Sequence, residues 1–302
     1  MKRWVITGPT GWIGRALLDL LTSDDARDGL HPDQTISLFG SRAGTVTVED
    51  GRAFPIRPLS EIGPDDVAEA YVVHLAYLTK DKVGELGEAA FRSGNETIDN
   101  TLLAALEQAA PAALFVASSG AARLAEIGAD HHLYGVMKHE QERRFLAYGA
   151  AHDVPVLCGR IFNVAGPHIN KHEAYAVSNF AVQALTQGSI RIEASQPVFR
   201  SLLHVTDLCR LVIRALRSGH RHSDPVDLCG STVLEMADIA ALVGTETGKD
   251  IPIHRPCMNF SSRSDYLGIP QDTKMLAMQF AVDLTEPAIQ VRDTVNWIRK
   301  TL

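Results

Sequence analysis

The segment LYGVMK places Tyr134 and Lys138 four residues apart, in a stretch whose pattern predicts a helix. That spacing puts both side chains on one helix face. A tyrosine hydroxyl with a pKa near ~10 is a poor acid–base group at neutral pH. A neighbouring ammonium favours the phenolate and brings the pKa closer to working pH. Tyr-x-x-x-Lys alone also arises by chance, as two unrelated surface residues. The upstream run AALFVASSGAA weighs against chance, because it reads as a buried strand ending in Ser118 and Ser119. In an open α/β sheet the carboxyl ends of the strands are where ligands bind. A serine there can hydrogen-bond a reacting carbonyl or alkoxide oxygen.

A second group of residues sits at the start of the chain. VITGPTGWIG falls between a first strand and a first helix, WIGRALLDLLTS. Gly8 allows a tight turn, Gly11 lets the backbone approach a pyrophosphate, and Gly14 lets helix and strand pack closely. The helix start adds N–H groups and a positive dipole end. Thr10, Trp12 and Ile13 fill the same turn and join the candidate cofactor set. The plain alternative is a structural turn without a ligand; the strand–turn–helix context favours a dinucleotide. An NAD site usually has an acid at the end of the second strand. Here that strand ends LFGSRAG, with no acid at 39–42. Ser41 and Arg42 stand where a 2′-phosphate would lie, and an arginine fork suits phosphate. NADP(H) is therefore expected over NAD(H), which stays open, because Arg42 also reads as a solvent-facing loop residue.

These residues need a frame. Apolar runs alternate with amphipathic segments: RWVITG, TISLFGS, the weaker TVTV, AYVVHLAY, AALFVASSG and VPVLCGRIFNVAGP read as strands. NETIDNTLLAALEQAA, ending before Pro111, and LYGVMKHEQERRFLAYGAAH read as helices. The rhythm predicts an α/β, Rossmann-type doubly wound parallel sheet over residues 1–167, with helices on both faces. Residues 168–302 predict a smaller α/β substrate lobe, with a soft boundary across which segments are exchanged.

The GxxGxxG spacing of the turn resembles the extended branch of the short-chain dehydrogenase/reductase superfamily. So does the order of glycine turn, serine at a strand end, and YxxxK on the next helix. Ser119, the final serine of its pair, is the better match, leaving Ser118 to cap the strand end. The resemblance implies a catalytic Ser119–Tyr134–Lys138 triad, with Tyr134 and Lys138 also meeting the cofactor. HLAY resembles the segment lining the cofactor, through Leu75, Ala76 and Tyr77, and Asn95 resembles the asparagine opening the next helix. GRIFNVAGP and FRSLLHVTDL resemble segments whose asparagine and arginine, here Asn163 and Arg200, meet a nucleotide-sugar substrate together with Ser119. Asp207 is expected to cap a helix. This sequence departs from the pattern in a short serine–tyrosine loop and in lacking an acid before Glu61 near the adenine.

The branch includes nucleotide-sugar epimerases, dehydratases and ketoreductases. Dehydratases typically follow the hydroxyl with Asp-Glu; Gly120 and Ala121 follow Ser119 here, so dehydration is not expected. GPHINKHEAYAVSNFAVQALTQGSIRI followed by PVFRSLLHVTDL most resembles nucleotide-sugar 4-ketoreductases of the CDP-abequose synthase type. An NAD-dependent 4-epimerase is the alternative, then a non-catalytic dinucleotide-binding regulator, then a reductase of a non-sugar ketone. The resemblance also implies a homodimer, paired through the helices at 95–110 and 134–151.

Composition sets the outer bounds. With 302 residues and a net charge of -7, the chain lacks the basic face of a nucleic-acid binder. RSGHRH, at 217–222, reads as a solvated helix end, with an anion contact as the alternative. Cys158, Cys209, Cys229 and Cys257 are far apart and form no CxxC pair, which suits buried reduced thiols rather than zinc. His168, His172 and His204 read as packing or surface residues, so no metal is expected. With no signal-peptide stretch and no run of transmembrane length, the expectation is a cytoplasmic protein without a membrane partner.

Overall fold

The computed structural model describes residues 2–248 and 250–302. The chain divides into two compact units, residues 1–161 with 209–226, and residues 162–208 with 227–302. The sequence expects a soft boundary near 167 with exchanged segments; the segment 209–226 belongs to the first unit. Arg214 holds it there, donating Nε and Nη2 to the buried Asp28 carboxylate at 2.7 and 2.6 Å.

The first unit begins with β1 (Trp4–Thr7), α1 (Trp12–Thr22), β2 (Ile36–Gly40), β3 (Gly44–Thr47), β4 (Ala53–Pro58) and the short α2 (Pro64–Val67). It continues with β5 (Tyr71–His74), α3 (Lys82–Leu86), α4 (Glu88–Leu106), β6 (Ala113–Ser119), α5 (Gly120–Glu126), α6 (Leu133–His152) and β7 (Val156–Ile161). From β7 the sheet order runs β7-β6-β5-β1-β2-β4-β3. Every neighbouring pair is parallel except β3 with β4. The weak strand TVTV is thus an antiparallel edge, and its partner β4 carries Pro55 opposite Thr45. Pro55 lies just before Ile56, where β4 begins to pair with β2, and a proline there hides the strand from pattern reading.

The chain runs from β1 to β2 on one side and resumes at β5 on the other side of β1. That makes the carboxyl ends of β1 and β5 a topological switch point, where open α/β sheets bind ligands. Strand β5 ends at His74, so Leu75–Tyr77 leave the sheet at that edge. Val5, Val72, Leu114, Val116 and Cys158 on the strands pack with Leu102, Leu106, Phe145 and Tyr148 from α4 and α6. These strands are near-continuous apolar runs because both sheet faces are covered.

The second unit contains β8 (Asn163–Ala165), α7 (Ala176–Gln187), β9 (Ile190–Arg191) and β10 (Val198–His204). Helix α8 (Val205–Ser218) and strand β11 (Val226–Leu228) begin and end the excursion to the first unit. The second unit continues with β12 (Val233–Glu235), α9 (Met236–Thr247), β13 (Ile253–His254), β14 (Ser264–Tyr266), α10 (Pro270–Phe280) and α11 (Pro287–Thr301). Strand β10 is its centre, parallel to β8 and β14 and antiparallel to β12.

Two sequence expectations change, those for Arg217 and Cys257. Arg217 is not a solvated helix end: it donates to the carbonyls of Arg27 and Gly29 and lies over the Trp4 ring. Asp207, in the first turn of α8, accepts from Thr285 N and Oγ1, at 2.7 and 3.1 Å, and so holds the segment before α11. Cys257 is exposed, whereas Cys158, Cys209 and Cys229 are buried. Among the described residues no helix is long and apolar enough to cross a membrane.

Candidate functional site

The glycine turn is a close backbone cradle. Gly8 has φ +72°, and a Cβ on it would sit 2.9 Å from Ala76 N. A Cβ on Gly14 would sit 2.5 Å from Gly8 O, so only hydrogen fits between turn and helix. A Cβ on Gly11 would meet only Gly8 O, at 3.5 Å. Space at Gly11, beside the N-terminal end of α1, is what a pyrophosphate needs. Thr10 is exposed, Ile13 is half-buried and Trp12 is buried at the helix start. Leu75 N and Ala76 N both donate to Thr7 Oγ1, which joins the turn to the end of β5.

Asn95 lies fully buried on α4. Its Oδ1 accepts from Leu78 N at 2.7 Å, which fixes the segment following Tyr77. That orientation leaves the buried Nδ2 a donor with no protein partner. The narrow glycine cradle, the opening at Gly11 and this unfilled donor fit a bound dinucleotide. Ser41 and Arg42 follow β2, both exposed.

The helices that begin beside Ser119 and Tyr134 are packed together at a second glycine. A Cβ on Gly135 would lie 2.6 Å from Ala121 O, so the first turn of α6 packs directly on the first turn of α5. Ser119 is the N-cap of α5, its Oγ accepting from Ala121 N at 3.2 Å. The expectation for Ser118 changes. Ser118 does not cap the strand end; it faces the opposite side of β6 and donates to Glu142 Oε1 at 2.5 Å. Strand alternation sends adjacent hydroxyls to opposite faces.

Lys138 is buried one turn beyond Tyr134. Its Nζ donates to Ala117 O at 2.7 Å and to Gln141 Oε1 at 2.9 Å. The Tyr77 ring lies beneath the ammonium, and Tyr134 meets that ring edge-on with centroids 6.2 Å apart. Burial pushes the Lys138 ammonium down to about 8, against the pull of nearby Asp99 and Glu142. Burial pushes the Tyr77 phenol up, so it stays neutral. Tyr77, expected from the sequence to line the cofactor, thus also packs on Lys138.

Asn163 and Arg200 belong to the second unit and converge on Tyr266. Asn163 Nδ2 donates to Tyr266 O at 3.2 Å. Arg200 lies 5.8 Å from the Tyr266 ring centroid and donates to the carbonyls of Phe199 and Ser264. Burial lowers the Arg200 pKa. Tyr266 escaped sequence reading; its only signal is an aromatic set among turn residues in SRSDYLG. The candidate histidines pack in this unit: His168 against the Trp297 ring, His172 beside Ile169 O, and His204 3.5 Å from Asp293.

Comparison with known proteins bears on the fold and the family. Over 120 residues the chain is 25% identical to UDP-glucuronic acid decarboxylase 6 of Arabidopsis thaliana, covering 40% of this chain and 34% of that one. The match thus spans about a third of that relative's length. The fold is similar to that of UDP-N-acetylglucosamine 4-epimerase from Methanobrevibacter ruminantium M1, with TM-score 0.76 and 16% identity, covering 100% and 99% of the two chains. It is similar also to RMD from Pseudomonas aeruginosa, solved with NADPH, with TM-score 0.73 and 18% identity over 100% of both chains. A model of the NAD dependent epimerase/dehydratase family matches residues 4–228, and the chain belongs to that family.

Proposed function

We propose that the protein is an NADP(H)-dependent reductase acting on the 4-keto group of a nucleotide-linked 4-keto-6-deoxy sugar. The observation that carries this reading is the start of α5. Ser119 caps that helix with Gly120 and Ala121 next, so no carboxylate follows the candidate hydroxyl to eliminate water. Arg42, exposed after β2, supports NADP(H) through the charge it offers a 2′-phosphate.

Gly8, Thr10, Gly11, Trp12, Ile13 and Gly14 would hold the pyrophosphate, Ser41 and Arg42 the adenosine end, and Leu75–Tyr77 with Asn95 the opposite wall. A nicotinamide held there would provide the hydride for reduction of the carbonyl. Ser119 holds the carbonyl oxygen by a hydrogen bond that strengthens as charge builds there. Tyr134 delivers the proton to that oxygen. The Lys138 ammonium stabilises the phenolate left behind, lowering the pKa of Tyr134. Asn163 and Arg200 bind the nucleotide diphosphate, and the active form is a homodimer paired through α4 and α6.

A second reading, an NAD-dependent nucleotide-sugar 4-epimerase, is favoured by the likeness to the Methanobrevibacter epimerase. Titration with NADPH and NADH separates the two. Tighter NADPH binding with net oxidation of NADPH by a 4-keto sugar nucleotide is expected. Clear NADH preference without net turnover of the cofactor would put the epimerase first.

A further inference from the structure

Behind Lys138 runs a buried chain of polar side chains whose donor directions are all determined. Thr7, His74, Asp99, Gln141 and Lys138 are each no more than 4% exposed. Thr7 Oγ1 already accepts from Leu75 N and Ala76 N, so its own proton goes to His74 Nδ1, 2.8 Å away. His74 then carries its proton on Nε2 and donates to Asp99 Oδ1 at 3.2 Å. Gln141 Nε2 donates to the same oxygen at 2.7 Å. An ionised carboxylate only accepts, so the Gln141 amide has one orientation, with its carbonyl toward Lys138.

We propose that Asp99, acting through Gln141, is the positioning residue of Lys138, and that His74 and Thr7 tie this pair to the glycine turn. Without the carboxylate the amide can turn, presenting NH2 to the ammonium. Asp99 is also the larger of the two carboxylate charges that favour the ammonium in this buried site, ahead of Glu142. The other groups around Lys138 cannot replace it. Glu142 is engaged by Arg160 and Ser118. Cys158 stays a neutral thiol because burial raises its pKa. Tyr77 is a neutral phenol, and Tyr134 lies one turn back on α6. Arg144, 3.8 Å from Asp99 Oδ2, is partly exposed and does not satisfy the inner oxygen. The proposal rests on the reading of Lys138 as partner of Tyr134.

The test is titration of Lys138 in the full protein by NMR of 13C-labelled lysine, assigned with Lys138→Arg. Wild type should titrate near 8. Asp99→Asn should lower the midpoint by roughly one unit or more, and Gln141→Leu by less. An unchanged midpoint in folded Asp99→Asn overturns the proposal. If Asp99→Asn does not fold, Gln141→Leu decides: a lowered midpoint supports the proposal and an unchanged one overturns it. No substrate enters this titration, so its result is independent of the reductase reading. Where turnover is measured, the alkaline limb of kcat/KM should move to lower pH with the same variants, a shift that mere loosening of the fold would not produce.

Discussion

The Lys138 ammonium lies 3.6 Å from the centroid of the Tyr77 ring. Such a contact is worth about 1–2 kcal/mol when desolvated. Tyr77→Leu should therefore lower kcat/KM roughly 5–30-fold. Tyr77→Phe keeps the ring and removes a buried hydroxyl that has no hydrogen-bond partner. It should retain turnover within about threefold and raise stability slightly, since a buried unpaired hydroxyl costs about 1–3 kcal/mol. Steady-state kinetics with thermal melts on both variants checks this.

Gly14→Ala tests the cradle. The added Cβ would meet Gly8 O at 2.5 Å and Pro9 Cα at 2.8 Å, both backbone atoms that cannot swing aside. We expect a loss of about 1–3 kcal/mol in stability and a larger proportional loss of NADPH affinity. Urea unfolding and a fluorescence titration of NADPH measure the two effects separately.

Glu142 and Arg160 make a buried pair with two hydrogen bonds, at 2.9 and 2.7 Å, and Ser118 adds a third to the carboxylate. Without Glu142, the buried Arg160 keeps only the partly exposed Glu126, 2.7 Å from its Nη1, as counter-charge. Glu142→Leu should cost about 3–5 kcal/mol, and Glu142→Leu with Arg160→Met should recover much of that. The urea midpoints of the single and double variants give the comparison.

The pair Glu235–Arg255 predicts an acid limb in stability. Burial alone would raise the Glu235 carboxyl, but Arg255 and the N–H groups of Val198 and Ala237 bring it down to about 2. The folded pKa lies below the unfolded one. The stabilisation is therefore complete above the unfolded value near ~4.3 and is lost as pH falls toward 2. Glu235→Gln should flatten the melting temperature against pH in that window, the wild-type loss being about 2 kcal/mol.

How far the sequence carried the fold and the site follows from separation along the chain. LYGVMKHEQERRFLAYGAAH coincides with α6, because its periodicity and bounds are local. The glycine turn, the strand end at Ser119 and the YxxxK face were legible for the same reason. The Asp99–Gln141 bond joins residues 42 apart, and Asn163–Tyr266 joins residues 103 apart. Such partners are chosen by helix packing and sheet register, which no local window records. The partner of Ser118 was hidden for the same reason, because Glu142 lies 24 residues away on α6.

Tyr134→Phe tests the reductase account most directly. NADPH consumption would be followed with a nucleotide-linked 4-keto-6-deoxy sugar, with NADPH affinity measured on the same preparation. The account predicts that kcat falls by roughly 10²–10⁴-fold while NADPH binding and the melting temperature stay near wild type. Wild-type turnover in a folded, NADPH-binding Tyr134→Phe protein would contradict it.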